Sequence, residues 1–124
     1  MSVSVDDLAA ALVQELQAYS GEVAEDLKTS VKRTAKACVN ALKESSPEDT
    51  GAYAKSWRAR TAYESGNDIR CQVYNKDHYQ LTHLLEDGHA KVSGGRVKGQ
   101  PHIQPAADAA SELLEKEVKI RVGR

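Results

Sequence analysis

The feature that most constrains the fold is the spacing of apolar side chains in the first third of the chain. From Val5 to Leu42 they recur every three or four residues, which is the period of an α-helix. Pro47 ends the stretch, because proline cannot continue a helix interior. The pattern predicts one long helix over residues 5–45, or two helices broken at Ser20-Gly21, where glycine costs about 1 kcal/mol relative to alanine. The apolar positions are Val5, Leu8, Leu12, Leu16, Tyr19, Val23, Leu27, Val31, Ala35, Cys38 and Leu42.

Such a helix is long for its domain. Ser4 is placed as its N-cap, and Asp6 and Asp7 would favour the positive end of the helix dipole. Unbroken, it would be about 60 Å long, whereas a domain of this size is roughly 30–35 Å across. Either the chain folds back at Gly21, or one end projects and offers an apolar stripe to a partner.

Residues 53–74 have the alternation of an antiparallel hairpin. One strand is predicted at 53–63 and a second at 69–74, around a polar, glycine-containing turn at 64–68. One face of the hairpin is basic and solvated. The other face must pack against another element, and the first helix is the element available to cover it. The inward positions are Tyr53, Trp57, Ala59, Thr61, Ile69, Cys71 and Val73, and the outward cations are Arg58, Arg60 and Arg70.

The last third predicts a short helix, a loop and a final helix. Residues 78–87 form the short helix, with Gly88 as its C-terminal stop. Residues 89–99 contain three cations, several glycines and no acid, which predicts a mobile loop. The final helix is predicted to begin at Pro105, a residue that fits the first helical position. Its apolar side carries Ala107, Ala110, Leu114 and Val118, and Ile120 and Val122 would form an edge strand or a frayed end.

Composition narrows the class of protein. The 124 residues fit one domain, and a formal charge of −1 argues against a protein that coats nucleic acid. Residues 1–50 hold nine acids and five bases, and residues 51–100 hold five acids and eight bases. This polarity would steer one subunit's acidic helix toward a neighbour's basic sheet, or it reflects separately solvated faces.

Cys38 and Cys71 are predicted as small buried hydrophobic residues in a reducing compartment. We expect neither a signal peptide nor a membrane span.

Side chains that could take part in catalysis or metal binding are present, but their spacing in the sequence does not suit either role. His78, His83, His89 and His102 lack the spacing of metal ligands and are predicted to be solvated or capping residues. Asp49 in Asp49-Thr50-Gly51 is expected to accept local backbone hydrogen bonds, while Gly51 supplies a positive φ. Glu86 and Asp87 point different ways on a helix, so they should bond nearby backbone or a partner's arginine. The sequence predicts no catalytic, cofactor or metal site.

Three short motifs follow the first helix, each built around Gly or Pro, where the backbone must turn. They are Pro47-Glu48-Asp49-Thr50-Gly51, Leu85-Glu86-Asp87-Gly88-His89 and Gln100-Pro101-His102-Ile103-Gln104-Pro105-Ala106. In this order the chain resembles the tail-completion and head–tail joining proteins of long-tailed double-stranded DNA bacteriophages. In that family an acidic-Thr-Gly turn follows a long first helix, a Glu-x-Gly element follows a Tyr, and a Pro-x-x-x-Pro-Ala run opens the last helix.

The resemblance implies an α+β fold in a single domain over residues 1–124. A long N-terminal helix would pack on a small, mainly antiparallel sheet, with a short middle helix and a C-terminal helix. The motif residues would have architectural roles. Asp49, Thr50 and Gly51 would set the turn into the sheet, Glu86 and Gly88 would close the short helix, and Pro101 and Pro105 would fix the entry into the last helix. His89 departs from the small hydroxyl residue usual after the glycine, and His102-Ile103 from a common aromatic.

The function implied is that of a structural virion protein, assembling as a ring at the head–tail junction or tail terminus. Its partners would be other copies of itself, head connector or adaptor proteins, and tail-tube or tail-terminator proteins, with no cofactor and no membrane. In a ring, Lys91, Arg96 and Lys98 would make weak, non-specific contact with passing DNA. The chain would reside in host cytoplasm before assembly and in the virion afterwards. The alternative is a cytosolic binding or regulatory module that dimerises through its long helix.

Overall fold

The computed structural model describes residues 2–5, 9–16, 19, 21–47, 51–66 and 68–121. The fold is α+β, with a long helix near the N-terminus, an antiparallel sheet, a short middle helix and a C-terminal helix, as the sequence predicts. In chain order the elements are β1 (Ser2–Val5), β2 (Ala9–Glu15), α1 (Gly21–Ser45), α2 (Ala52–Lys55), β3 (Trp57–Glu64), β4 (Asp68–Asn75), a 3₁₀ turn (Tyr79–Leu81), α3 (Thr82–Asp87), β5 (Gly88–Ala90), β6 (Arg96–Lys98) and α4 (Ile103–Arg121).

The first four strands form one antiparallel sheet in the order β1-β2-β4-β3, so β1 and β3 are its edges. Strand β4 pairs on one side with β2 and on the other with β3. Helix α1 packs mainly on β3 and β4, helix α4 packs on β1 and β2, and the two helices lie side by side. The domain therefore has one layer of sheet and one of helices, with the core between them.

Helix α1 buries the apolar stripe that the sequence predicts for its region. Leu27, Val31, Ala35, Cys38 and Leu42 are all at most 3% exposed. The helix has 25 residues and is thus about 37 Å long. Glu22 in its first turn and Lys43 in its last complement the helix dipole.

The prediction of helix before Gly21 is wrong. Residues Ser2–Val5 and Ala9–Glu15 are strands, Ser4 lies in β1, and the helix begins at the glycine that the sequence marked as a weak point. Leu12, Gln14 and Leu16 are buried in strand-like alternation. The leucine spacing of four is an even number, so it fits the strand period as well as the helix period. Strand β2 also bonds the second side of β4, whose backbone groups would otherwise be buried without partners.

The predicted hairpin is confirmed as β3 and β4, with corrected bounds. Residues Ala52–Lys55 form helix α2, so Tyr53 precedes the strand instead of belonging to it. The inward side chains of β4 are buried and the outward arginines are exposed, as predicted. These are Ile69, Cys71 and Val73 inside, and Arg58, Arg60 and Arg70 outside.

Helix α3 ends at Asp87, and Gly88 follows with a φ of 84°, which confirms the predicted stop. Residues 89–99 are not a structureless loop, because β5 pairs with β6 from Gly88 opposite Lys98 to Ala90 opposite Arg96. Their mobility stays a prediction.

Helix α4 begins at Ile103 and not at Pro105, and it buries Ala107, Ala110 and Leu114 as predicted. Ile120 lies in this helix, and Val122 lies outside the described residues.

Both cysteines are buried and unpaired, as predicted. Burial raises the pKa of Cys38 to about 11, so its thiol stays protonated at neutral pH and behaves as an apolar group. Among the described helices, none has both the length and the apolar composition needed to cross a membrane.

Candidate functional site

The second and third sequence motifs meet at the N-terminus of helix α4, and Tyr53, two residues after the first motif, contacts them there. The first motif ends at Gly51, which opens α2 with a φ of 83°. The second contains the last turn of α3, and the third leads into α4. We call this meeting point the junction and define it by Tyr53, Glu86, Gly88, Gly99 and His102.

Glu86 supplies the cap of helix α4 from a distant part of the chain. Its Oε1 accepts hydrogen bonds from the backbone N–H of His102 and of Ile103, both at 2.7 Å. Its Oε2 accepts from the N–H of Gln104 at 2.9 Å. Burial alone would raise the pKa of Glu86, but these three donors and His102 hold that pKa below its usual value. The carboxylate therefore satisfies N–H groups that a helix start leaves without partners.

This cap explains where the last helix begins. With the first N–H groups already bonded, the helix starts two residues before Pro105. Pro105 then falls in the first turn, where its missing N–H is of no consequence. Glu86 does bond backbone groups, but they lie 16 to 18 residues away in the chain, whereas the sequence predicted nearby backbone.

His102 is the buried centre of the junction, so its prediction as a solvated or capping residue is wrong. It is 1% exposed. Its Nδ1 lies 2.7 Å from the carbonyl oxygen of Gln100 and 3.0 Å from Oε1 of Glu86. Both neighbours are acceptors, so Nδ1 carries the proton and donates. At the other side of the ring, Nε2 lies 2.7 Å from the hydroxyl of Tyr53.

Tyr53 donates to that nitrogen and joins α2 to the junction. Its own burial, and then the negative charge of Glu86, raise the pKa of Tyr53 far above its usual value. The phenol is thus a proton donor at any ordinary pH. Its ring also meets those of Trp57 and His102 edge to face, each with centroids 5.6 Å apart, a favoured aromatic geometry.

Two glycines let the backbone strands of the junction approach each other closely. A Cβ on Gly88 would collide with the carbonyl oxygen of Val97 and lie 2.7 Å from the nitrogen of Gly99. A Cβ on Gly99 would lie 2.5 Å from the carbonyl oxygen of Glu86. The N–H of Gln100 donates to the carbonyl of Leu85 at 2.8 Å. The base of the β5–β6 hairpin is therefore clamped against the end of α3.

Further polar bonds extend the junction into the core. The indole N–H of Trp57 donates to Oγ of Ser46 at 2.8 Å, next to the end of α1. Asn75 donates from Nδ2 to the carbonyl of Tyr53 at 2.9 Å and accepts at Oδ1 from the N–H of His78 at 2.9 Å. Sequence reasoning missed these partners. No local pattern indicated them, because Ser46, Tyr53 and Asn75 lie in separate segments of the chain.

The remaining predicted residues are placed as follows. Asp49 and Thr50 lie outside the described residues, and the positive φ predicted for Gly51 is confirmed. Pro101 is exposed and directly precedes His102. The β5–β6 hairpin carries three exposed cations, Lys91, Arg96 and Lys98.

The junction is built for rigidity. Its polar atoms bond each other and backbone groups. A cavity of about 210 Å³ beside it is lined by Pro47, Gly51, Ala52, Tyr53, His78, Leu81 and Leu85. Across the described ranges, no group of three or more His, Cys, Asp or Glu side chains is placed to hold a metal ion.

A family model described as "Bacteriophage HK97-gp10, putative tail-component" (HK97-gp10-like) matches residues 10–88, well over half of the chain. The match begins in β2, includes α1 and the β3–β4 hairpin, and ends at Gly88. It contains the first motif and the second as far as Gly88, and it stops before the third. No curated protein and no solved structure is significantly similar to the chain.

Proposed function

The chain belongs to the HK97-gp10-like family of bacteriophage tail components, and we propose that it assembles as a ring at the head–tail junction or the tail terminus. The observation that carries the proposal is the family match over residues 10–88. As a structural phage protein, it would act through contacts with other virion proteins. Those partners would be further copies of itself, head connector or adaptor proteins, and tail-tube or tail-terminator proteins.

The geometry of the junction supports an architectural role. Glu86 and Gly88 bring α3, the β5–β6 hairpin and α4 together through backbone contacts. This arrangement holds the base of the hairpin while its tip extends into solvent, with all of residues 90–98 exposed. A rigid base with an exposed tip suits a segment that a neighbouring protein orders on contact. We propose that residues 89–99 reach the ring opening and that Lys91, Arg96 and Lys98 touch passing DNA there.

The experiment is complementation of a phage or prophage that lacks this gene. We expect electron micrographs to show filled heads and separate tails, or tails of abnormal length, and wild-type protein supplied in trans to restore joined particles. Mass spectrometry of purified virions should detect the chain at a level consistent with one ring per particle. Normal, infective particles without the protein, or virions that do not contain it, would refute the proposal.

The alternative of a helix-mediated dimeric regulator is distinguished by oligomeric state. Its premise was a helix with a spare apolar stripe, whereas the apolar side of α1 is buried on the sheet. Light scattering over a concentration series should show a monomer or small oligomer when dilute and larger assemblies when concentrated. A tight dimer that does not change with concentration would favour the regulator.

A further inference from the structure

A basic groove of about 550 Å³ runs between helix α1 and the edge strand β3. Apolar side chains form part of its lining, among them Ala35 and Val39 of the helix and Ala59 of the strand. None of the described residues that line it is acidic. Its positive charge comes from Lys32, Lys36, Lys43 and Lys55, while Arg58 and Arg60 line it with side chains on the outer face of the sheet.

The groove exists because α1 leaves part of the inner face of β3 uncovered. Trp57 at the start of the strand is fully buried, but Ala59 and Thr61 are exposed. These two residues lie opposite Val73 and Cys71 in the sheet register, and Val73 and Cys71 are buried. The layer of helices therefore stops short of the sheet edge beside Ala59 and Thr61.

The cations of the groove are largely free of acidic partners. Lys32 pairs with Glu64 at 3.1 Å. For Lys36, Lys43 and Lys55, the part of the chain that the structure describes shows no ion pair. These three side chains are exposed. Their charges are therefore available to carboxylates from outside the subunit.

The opposite edge of the molecule carries the complementary charge. Helix α4 covers strand β1 there, and Asp108, Glu112 and Glu115 are exposed along it. Their spacing of four and three residues places them in one row. We call them the acidic row. Within the subunit, Glu115 lies 3.7 Å from Nζ of Lys119 and Asp108 accepts from Gln104 at 2.9 Å, both in exposed pairs on the same helix. Ala106 and Ala110 of the same helix meet α1, and the helical period puts Asp108 and Glu115 on the other flank.

We propose that the basic groove receives the acidic row of α4 from a second copy of this chain. The inference rests on the proposed function, because it names the surface through which a ring would form. Within one subunit α4 already lies beside α1, and the neighbour's α4 would occupy the corresponding place on the other side of α1. It would cover Ala59 and Thr61 and bring carboxylates to Lys36 and Lys55.

The sheet permits the same arrangement. In the order β1-β2-β4-β3 every neighbouring pair is antiparallel, so β1 and β3 run in opposite directions. A neighbour placed alongside with little rotation would set its β1 antiparallel to β3, and both layers would continue across the contact. Each interface then joins two different surfaces, the groove of one subunit and the acidic row of the next. Such head-to-tail contacts form a closed ring when the repeated rotation from one subunit to the next adds up to a full turn.

A charge-swap experiment tests the contact. The groove variant is Lys36→Glu with Lys55→Glu, and the row variant is Asp108→Lys with Glu112→Lys. Sedimentation velocity over a concentration series should show self-association weakened by at least about tenfold in each variant, because like charges then meet across the interface. An equimolar mixture of the two should associate again, since every contact in an alternating ring pairs opposite charges. The chain with all four substitutions should also recover.

Matched controls carry the same changes of charge elsewhere. Arg70→Glu with Lys76→Glu alters two exposed cations, one in β4 and one just after it, and Glu22→Lys with Asp26→Lys alters the exposed, acidic start of α1. Both should associate like the wild type, and circular dichroism should show all variants folded. The choice of occupant would be overturned if the Glu22→Lys, Asp26→Lys variant, and not the row variant, lost self-association and regained it when mixed with the groove variant.

Three further outcomes decide between this inference, the proposed function and a nucleic-acid surface. If both swap variants assemble as the wild type does, the groove is not the contact, while a ring remains. If the wild type stays monomeric at every concentration and does not join tails, the proposed function fails as well. If the groove variant loses only its binding to a short fluorescent DNA duplex and still assembles, the groove is a nucleic-acid surface and the inference is wrong.

Discussion

Replacing Glu86 with alanine tests whether the junction depends on one carboxylate. Its oxygens accept from the N–H of His102 and Ile103 at 2.7 Å and of Gln104 at 2.9 Å. Loss of a charged acceptor costs about 1–1.5 kcal/mol for each of the two partly buried donors, and the lost interaction with the helix dipole adds about 0.5 kcal/mol. Water can replace the acceptor at the exposed Gln104. We expect the free energy of unfolding to fall by about 3 kcal/mol.

Urea denaturation followed by circular dichroism and by the fluorescence of the single tryptophan, Trp57, measures this loss. The control is Asp87→Ala, an exposed carboxylate next in the chain, which should change the free energy of unfolding by no more than about 0.5 kcal/mol. Equal losses in the two variants would refute the reasoning, because general effects of charge or of α3 stability would then account for both.

The dependence on pH gives a second check of the same carboxylate. The folded pKa of Glu86 lies below its ordinary value of 4.5, so the unfolded chain binds the proton more readily. The contribution is complete above that ordinary value and is lost as pH falls through the folded pKa. The stability gap between wild type and Glu86→Ala should be constant from neutrality to about pH 5.5 and narrow in acid. A gap that does not narrow would contradict the charged cap.

Three further outcomes follow from the junction and its hairpin. Gly88→Ala should destabilise the fold by at least about 2 kcal/mol, because a positive φ and a backbone collision act together, whereas Gly51→Ala, whose Cβ would meet only the end of the Lys55 side chain, should cost about 1 kcal/mol; denaturation that ranks them the other way would count against the clamp. Tyr53→Phe should cost about 1–2 kcal/mol by leaving a buried imidazole nitrogen unbonded, while Tyr63→Phe, at an exposed ring, should be neutral in the same assay. Backbone NMR order parameters should be lower in residues 89–99 of the free subunit than in the β3–β4 hairpin, and equal values would contradict a loop ordered by assembly.

The sequence by itself determined the elements whose information is local. The β3–β4 hairpin follows from an alternation of two and a polar turn, and the stop of α3 follows from Gly88. The buried stripe of α1 follows from apolar residues three and four apart. The family resemblance likewise depends on short motifs that are read directly from the chain. In each of these cases the deciding residues lie within a few positions of one another.

Only the tertiary structure decided the conformation of residues 2–5 and 9–16 and the contacts of the junction. The leucines at 8, 12 and 16 fit both a helix and a strand, and the choice was made by β4, which lies more than 50 residues later and needs a partner on its second side. His102 is buried because Tyr53 and Glu86 meet it from distant segments. Burial and backbone satisfaction are properties of the assembled layers, so no local pattern in the chain could specify them.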